Sequence, residues 1–465
     1  MNWRQSLAAL AWVAALCPLE AGAGINTKNG NFYISYFDIV AGPLEVGRAY
    51  NSKSTFRGMF GYGWGTPYES RLIVGPSGTP VIFQNGGGAT SYFQPDVANS
   101  SYAATAAAAI KTMLPLLVTE RGANRAALDS ADHQRLQGQV QQQLQDEEYR
   151  NRAWLRLLDS GKVRPLDVPQ GATFRYTCSC SFKSQQLTRT PQGYLYVSGT
   201  QRQTYSASGQ LLSILEGSGP AILITRYDSG KDQGRIRSLS GGGNTVNVTL
   251  DAAGHVTQLL HVQSSKTARY VYDHDNLVRS DDAGGNVFRF GYDARHNMTS
   301  ITYVDDSKLT IEYDANSAAV KEVQRNGATT WYQYGALPGD PVLNYYTSIK
   351  HAASALPSAD VSYERREYHF RRTPKGGLAL EQQASEADNI SRRYRYNELG
   401  VLKRLVESSH LSDSAGTITD YEFDSAGRVK TTQSRGWRRT YTYADDDATR
   451  VLQLQTVYSL SLIHI

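Results

Sequence analysis

The chain has 465 residues, 40% hydrophobic and 20% charged, a globular balance that excludes a disordered polypeptide and a disulfide-stapled miniprotein alike. Its 48 Lys and Arg against 43 Asp and Glu leave a net charge of +5 with no basic tail, so no nucleic-acid partner is expected. Tyr occurs 30 times against 12 Phe, 6 Trp and 4 Met, and Gly 41 times, which favours pleated, half-wet β-surfaces with many turns.

Residues 1–23 read as a signal peptide. Arg4 supplies a positive charge, Ser6 to Cys17 is a short apolar run, and Ala21-Gly22-Ala23 is a small-x-small cleavage pattern that puts the mature start near Gly24. The run is short for a bilayer, which needs roughly 20 apolar residues. An exported chain follows: secreted, periplasmic or at the cell surface. Residues 24–97 form an amino-terminal β domain. It carries Gly30-Asn31-Phe32-Tyr33, then Asp38, Pro43-Leu44-Glu45, Arg48-Ala49-Tyr50-Asn51-Ser52 and Phe60-Gly61-Tyr62-Gly63-Trp64.

Residues 98–162 are a helical insertion. An Ala-rich helix over Ala103 to Leu114 is predicted to stop before Pro115. A second, over Asp132 to Leu158, is amphipathic through Leu136, Val140, Leu144, Trp154 and Leu158 and ends at Gly161. Its wet face is Gln-rich, and its apolar stripe fits either its own domain or a partner. Cys178 and Cys180 share a strand face and are open to three readings: unpaired thiols, a strained disulfide, or half of a metal site.

From about residue 200 the chain repeats, and residues 163–245 lead into the ladder. Its best copies are Tyr270-Val271-Tyr272-Asp273, Tyr292-Asp293, Tyr313-Asp314, Tyr394-Arg395-Tyr396 with Gly400, and Tyr421-Glu422-Phe423-Asp424 with Gly427. Leu250, Tyr272, Tyr292, Tyr313 and Tyr334 recur about every 20 residues. Two aromatics separated by one residue face one side of a strand. The Asp caps a turn with its side chain, and the following Gly or Asn takes the positive φ. Each unit is thus a hairpin that must stack on its neighbours to bury its face. A propeller is the alternative, although its blades need about 40 residues. Tyr272, Tyr292, Tyr313 and Tyr334 are expected in one row. Repeats span residues 246–458, with a loop insertion at 335–362. Residues 459–465 fit no strand of the ladder and read as a non-native tail.

This ladder, behind that amino-terminal block, resembles the RHS or YD-repeat proteins. The resemblance implies a mainly β fold: a spiralling antiparallel sheet of hairpin repeats, here an open partial shell with a helical insertion. It also implies function. Such shells enclose a carboxy-terminal toxin and deliver it in bacterial competition, so the expected partner is a closing shell and toxin segment of the same polypeptide. Surface carbohydrate and secretion machinery remain open as further partners, and a cell-surface adhesin is the alternative function. The family's self-cleavage motif, Asp-Pro-x-Gly, is not met at Asp340-Pro341-Val342-Leu343. Nine scattered His residues form no metal motif, and neither a nucleophile elbow nor a phosphate loop is seen, so no enzyme activity, cofactor or metal is expected. The acidic pairs Asp281-Asp282 and Asp305-Asp306 and the run Asp445-Asp446-Asp447 fall at turns, solvated or, on the sharper reading, calcium-binding. The expected structural residues are therefore Tyr272, Asp273, Tyr292, Asp293, Tyr313, Asp314, Tyr396, Gly400, Phe423, Asp424 and Gly427 in the repeats. In the amino-terminal domain they are Gly30, Asn31, Tyr50, Asn51 and Trp64.

Overall fold

The computed structural model describes residues 23–86, 88–95, 102–122, 130–176, 185–354, 361–374, 376–387, 390–397, 402–409, 416–424, 428–444 and 451–458. The signal segment up to Gly22, Cys178, Cys180, Gly400, Gly427 and the tail from residue 459 lie outside the described residues.

Two sheets matter. A small one joins β1 (Ala23–Asn26), β2 (Asn31–Ala41), β3 (Leu44–Asn51) and β4 (Trp64–Gly65) in that order. The large one starts with β5 (Arg71–Val74), β6 (Pro80–Gln84) and β7 (Ala89–Pro95). It then runs antiparallel from Thr173–Tyr176 through every later strand to Val451–Tyr458. Consecutive strands pair throughout, which is what short hairpin turns permit. This sheet is open among the described residues: Val451–Tyr458 pairs with Trp437–Tyr443, and β5 with β6, but not with each other. It nevertheless curls. The outer edge of β5 returns to the turn before Leu211, where the Leu72 amide donates to the Gly209 carbonyl at 2.9 Å and Arg71 bridges Gln210. Gly209 has φ +78, and a Cβ there would collide with the Leu72 carbonyl, so the first winding seats on a glycine.

One hairpin turn recurs in several units. Asp251, Asp293 and Asp314 each donate their amide to the carbonyl four residues on and accept at their own carbonyl from the amide three residues on. This is a type I turn followed by a left-handed residue, the three-residue hairpin loop that ends in a bulge. The left-handed position is the third after the Asp: Gly254 (φ +93), His296 (φ +64) and Ser317 (φ +56). Sequence pattern placed the positive φ on Asn297 and Asn316; it falls one residue earlier and one later, respectively. The side chain of Asn297 is needed elsewhere, donating to Asp293 Oδ2 at 2.8 Å.

The register shifts at the aromatic residue before each turn, between Gly291 and Tyr292, Glu312 and Tyr313, Arg395 and Tyr396, Glu422 and Phe423, and Thr442 and Tyr443.

The helices depart from expectation in two ways. Helix α1 (Tyr102–Gly122) runs through Pro115 instead of stopping before it. Met113, Leu117 and Val118 on either side are buried, and that burial offsets the lost backbone hydrogen bond. The predicted second helix is two, α2 (Ser130–Gln143) and α3 (Glu147–Asp159), because Asp146 caps α3 by accepting from the Tyr149 amide. All three cover Ile73, Val81 and Phe83 on the outer face of β5 and β6, while Leu72, Val74 and Ile82 face the main core. The α2–α3 corner also abuts a distant hairpin turn, where a Cβ on Gly376 would collide with the Gln145 carbonyl.

Where it is described, the segment 335–362 is mostly strand and not a loop insertion. Strands Thr329–Ala336 and Asn344–Ala352 pair along eight residues each, with only the turn around Asp340 and Pro341 between them. The Pro residues mark that turn, and Tyr345, Tyr346 and Ile349 carry the strand pattern through it.

The turn geometry predicts the outcome of substitution at Ser317. Ser317→Gly should change unfolding free energy by less than about 1 kcal/mol, whereas Ser317→Val, β-branched at a left-handed position, should lower it by roughly 2 kcal/mol. Urea unfolding of both variants measures the difference, and equal stability would contradict the assignment.

Candidate functional site: the seam between the two sheets

A bulge leaves one amide per hairpin outside the ladder, at the first residue of the return strand. In three hairpins the amino-terminal domain satisfies it. The Val256 amide donates to the Met59 carbonyl at 2.7 Å, the Met298 amide to Tyr50 Oη at 2.9 Å, and the Ala319 amide to the Gly30 carbonyl at 2.8 Å. A fourth contact of the same kind runs from the Ala283 amide to the Asp38 carbonyl at 2.9 Å. The carbonyls of Val256, Met298 and Ala319, and that of Leu277 in the hairpin between the first two, face the next hairpin and accept from its Tyr. Tyr272 donates to Val256, Tyr292 to Leu277, Tyr313 to Met298 and Tyr334 to Ala319, at 2.7–2.9 Å. These four rings occupy equivalent places on successive hairpins. Tyr443 repeats the bond to Val429 at 2.9 Å.

The Asp of each pair acts locally. Asp293 Oδ1 accepts from the Arg295 and Asn297 amides, Asp314 Oδ1 from Asn316 and Ala318, and Asp424 Oδ1 from Arg428. Asp273 differs. Its turn has two residues, and among the described residues its carboxylate meets the exposed His274 ring at 2.8 Å and no backbone amide. Tyr396 and Phe423 sit at the same bulge position, half-buried.

Among the amino-terminal residues, Tyr50 is fully buried and two-sided. It accepts from Met298 and donates to the His296 carbonyl at 2.8 Å. Trp64 Nε1 donates to Tyr292 Oη at 2.9 Å, tying the two sheets through the ladder tyrosine itself. Asn31 works within its own domain, donating to Asn51 Oδ1 at 3.0 Å and accepting from the Lys53 amide. Gly30, at φ +69, lets its carbonyl reach Ala319; a Cβ would press on Ala318 and the Tyr334 hydroxyl.

At the centre lies a group whose role the sequence pattern did not reveal. Asp38 is the bulged residue of β2, skipped in its pairing with β3, and the bulge re-aims its carboxylate inward. Arg48 Nε donates to Asp38 Oδ2 at 2.8 Å and Nη2 to Ser280 Oγ at 2.6 Å, while Tyr270 donates to Asp38 Oδ2 at 2.8 Å. Both charged side chains are 0% exposed. The guanidinium lies 4.4 Å from the Trp64 ring and 4.9 Å from Tyr36. Burial pushes the Asp38 carboxyl up from its ordinary value, opposed by Arg48 and the two hydrogen bonds. The available signal was that Asp38 and Arg48 flank the Gly42-Pro43 turn, where a hairpin brings them together.

Glu69 supports the seam from behind. Its Oε1 accepts from the Met59 amide at 2.7 Å, fixing the residue whose carbonyl binds Val256. Burial pushes its carboxyl up to about 7. Among the described residues no cluster of His, Cys, Asp and Glu could hold a metal. No helix there is long and apolar enough to cross a membrane. The arrangement can hold and align strands; most of its polar groups are spent on one another, although Arg48 Nη1 and the Tyr36 hydroxyl are buried without a hydrogen-bond partner among the described residues.

A hairpin-repeat sheet wound against an amino-terminal domain that caps its bulges defines a structural, shell-type protein. The family model described as the RHS repeat matches residues 269–308, and a domain of unknown function (DUF6531) matches residues 22–93. Residues 269–308 therefore carry an RHS repeat, and the chain resembles the RHS/YD-repeat proteins. No curated protein matches it in sequence. Among solved structures it is similar to the TcdB2-TccC3-TEV crystal structure, with 12% identity, a TM-score of 0.22, and coverage of 67% of this chain and 23% of that one. It is also similar to TcdB2-TccC3-Cdc42, with 11% identity, a TM-score of 0.24, and coverage of 89% and 27%. The Photorhabdus luminescens Tc holotoxin pore gives 11% identity, a TM-score of 0.19, and coverage of 66% and 22%. The chain spans about a quarter of the length of those chains.

Two predictions follow from the seam. Arg48→Met strands the Asp38 charge in the core and should cost about 3–5 kcal/mol, whereas the double variant Asp38→Asn with Arg48→Met should recover part of that loss. Urea denaturation of the three proteins checks this, and an additive double variant would contradict it. The folded Glu69 carboxyl titrates above its unfolded value, so the native state holds the extra proton between about pH 4.5 and 7. Stability contributed by this group is therefore present below that window and lost as pH rises through about 7. Glu69→Gln should flatten the profile and be the more stable protein above pH 7 by roughly 2–3 kcal/mol, read from thermal unfolding against pH.

Proposed function

We propose that the chain is the amino-terminal part of an exported shell that encloses a carboxy-terminal toxin and delivers it to competing bacteria. The observation that carries this reading is one-sided filling of the wound sheet. The amino-terminal domain occupies the inner face up to Thr347, Arg366 and Tyr368, which it meets through Thr27. Beyond them the inner face of the hairpins from Ile390 to Tyr443 is left half-exposed, suited to holding cargo. The YD ladder and the amino-terminal block support the same reading. The repeat tyrosines, the turn aspartates, and Gly30, Asn31, Tyr50, Asn51 and Trp64 act in it as structural residues. Its partner is the closing shell and toxin segment of the same polypeptide, and neither cofactor nor catalytic group takes part.

The test is genetic and direct. The genomic coding sequence read past residue 458 should continue the repeats and end in a variable domain that halts growth when expressed alone, while residues 24–458 are harmless. Exported material should begin near Gly24. A wall- or membrane-anchoring segment in place of the variable domain would overturn the proposal in favour of an adhesin.

A further inference from the structure

The chain departs from its repeat in two places, the helical insertion and one overlong hairpin, and the two meet. The strands from Thr267 to Val323 hold 5–7 residues each, whereas Val361–Arg372 holds 12 and Leu378–Ala387 holds 10. Part of the surplus lies on the turn side. In the ladder one pair follows the bulge, as Tyr292 with Met298, and the chain then turns. In the long hairpin three pairs follow it: Phe370 with Leu380, Arg371 with Ala379 and Arg372 with Leu378. Two extra pairs set this turn about 7 Å farther from its bulge than a ladder turn stands.

At that reach the turn lies on the α2–α3 corner. A Cβ on Gly376 would stand 1.7 Å from the Gln145 carbonyl oxygen, and one on Gly377 2.9 Å from Glu147 Oε2. Gly376 is also left-handed, at φ +89, so its conformation and its neighbour both call for glycine. The corner itself is fixed. Arg150 Nη1 donates to the Leu144 carbonyl at 2.8 Å and to the Gln145 carbonyl at 3.3 Å, and Asp146 caps α3. Behind it, Leu136, Val140, Trp154 and Leu157 are buried in one cluster with Ile73, Val81 and Phe83 of β5 and β6. The long hairpin is also held from inside, where Thr27 Oγ1 lies 2.7 Å from Tyr368 Oη. We propose that the helical insertion is a clasp: its α2–α3 corner ties the first strands of the large sheet to the hairpin from Val361 to Ala387 and restrains the winding from opening. The partner that the insertion serves is this chain's own hairpin, and the clasp acts whatever the interior holds.

The experiment uses the full chain and two kinds of variant. A Cβ on Gly377 would lie 3.9 Å from the Glu147 Cβ, inside the roughly 3.5–4.5 Å that a disulfide spans. Gly377, unlike Gly376, is not left-handed, so it accepts a side chain once Glu147 is shortened. The double variant Glu147→Cys with Gly377→Cys, treated with oxidised glutathione, should therefore close a disulfide between these two positions, located by peptide mapping. Gly376→Val should open the clasp. Amide hydrogen exchange should then quicken about tenfold in α2, in α3 and along Val361–Arg372 and Leu378–Ala387, while Val256, Met298 and Ala319 keep their protection. Failure of the disulfide to form in the folded double variant would overturn the contact. Exchange that quickens only at the turn itself, or nowhere, would overturn the restraint. Should Gly376→Val fail to fold, the reduced and oxidised forms of the double variant replace it: oxidation should slow exchange in the same four elements, and no change there would overturn the proposal.

Discussion

One backbone constraint organises the molecule: a three-residue hairpin loop whose last residue is left-handed. That loop closes only with a bulge, and the bulge goes with two features. It sits beside the aromatic whose hydroxyl reaches a carbonyl near the start of the previous return strand, a bond that Tyr334 also makes without a bulge, and it pushes the first amide of its own return strand out of the ladder. The first feature links each hairpin to its predecessor. The second gives the sheet a line of donors on its inner face. Val256, Met298 and Ala319 show both at once, with the amide committed to the amino-terminal domain and the carbonyl to the next Tyr.

The buried Asp38–Arg48 pair has to be understood against that frame. Burying two charges costs several kcal/mol per ion, and their attraction in the interior barely returns it, so a pair of this kind contributes little net stability. What it contributes is position. Arg48 reaches Ser280, Asp38 accepts from Tyr270, and the Asp38 carbonyl takes the Ala283 amide, so a slip of the ladder by one residue would leave several buried groups unpaired. Repeats of nearly equal sequence pair almost as well out of register as in it, and a charged pair that fits one register discriminates between them.

The hairpins were legible in the sequence because period-2 alternation and turn residues are local signals. Tyr272, Asp293 and Gly254 announce strand, cap and turn within a few residues of one another. The helical character of the insertion was legible for the same reason, whereas the winding of the sheet was implied only by the family resemblance. The position of the left-handed residue was not: Asn297 looks like the better candidate, yet His296 takes it because Asn297 is needed on Asp293. Pro115 was misleading because local propensity says nothing of the apolar surface that Met113 and Leu117 bury on β5 and β6. In the segment around Pro338 and Pro341, the prolines outweighed a strand pattern whose partner lay across the turn. The seam itself was hidden for a deeper reason. Three of its four acceptors, the carbonyls of Gly30, Asp38 and Met59, are backbone atoms and carry no residue signature; the fourth is the Tyr50 hydroxyl.

The side chains facing inward record where the amino-terminal domain stops. Opposite it they are aliphatic and aromatic: Leu259, Leu277, Phe290, Ile301, Leu309 and Ile311 are all buried. Past Tyr368 the rows on the same face become Arg366, Ser385, Arg392 and Glu407, and Tyr368, Gln383, Tyr394 and Leu405. Arg366 pairs with Glu364 and Arg392 with Glu407, ion pairs that a dry interface would disfavour and a wet cavity tolerates. Through this change the tyrosines persist. A ring with a hydroxyl can serve both environments, burying its face against the sheet and holding a carbonyl or water with its tip, which Leu or Phe cannot do. The excess of Tyr over Phe in this chain therefore reflects a ladder whose one repeated side chain must work on both sides of the boundary between a filled and an open interior.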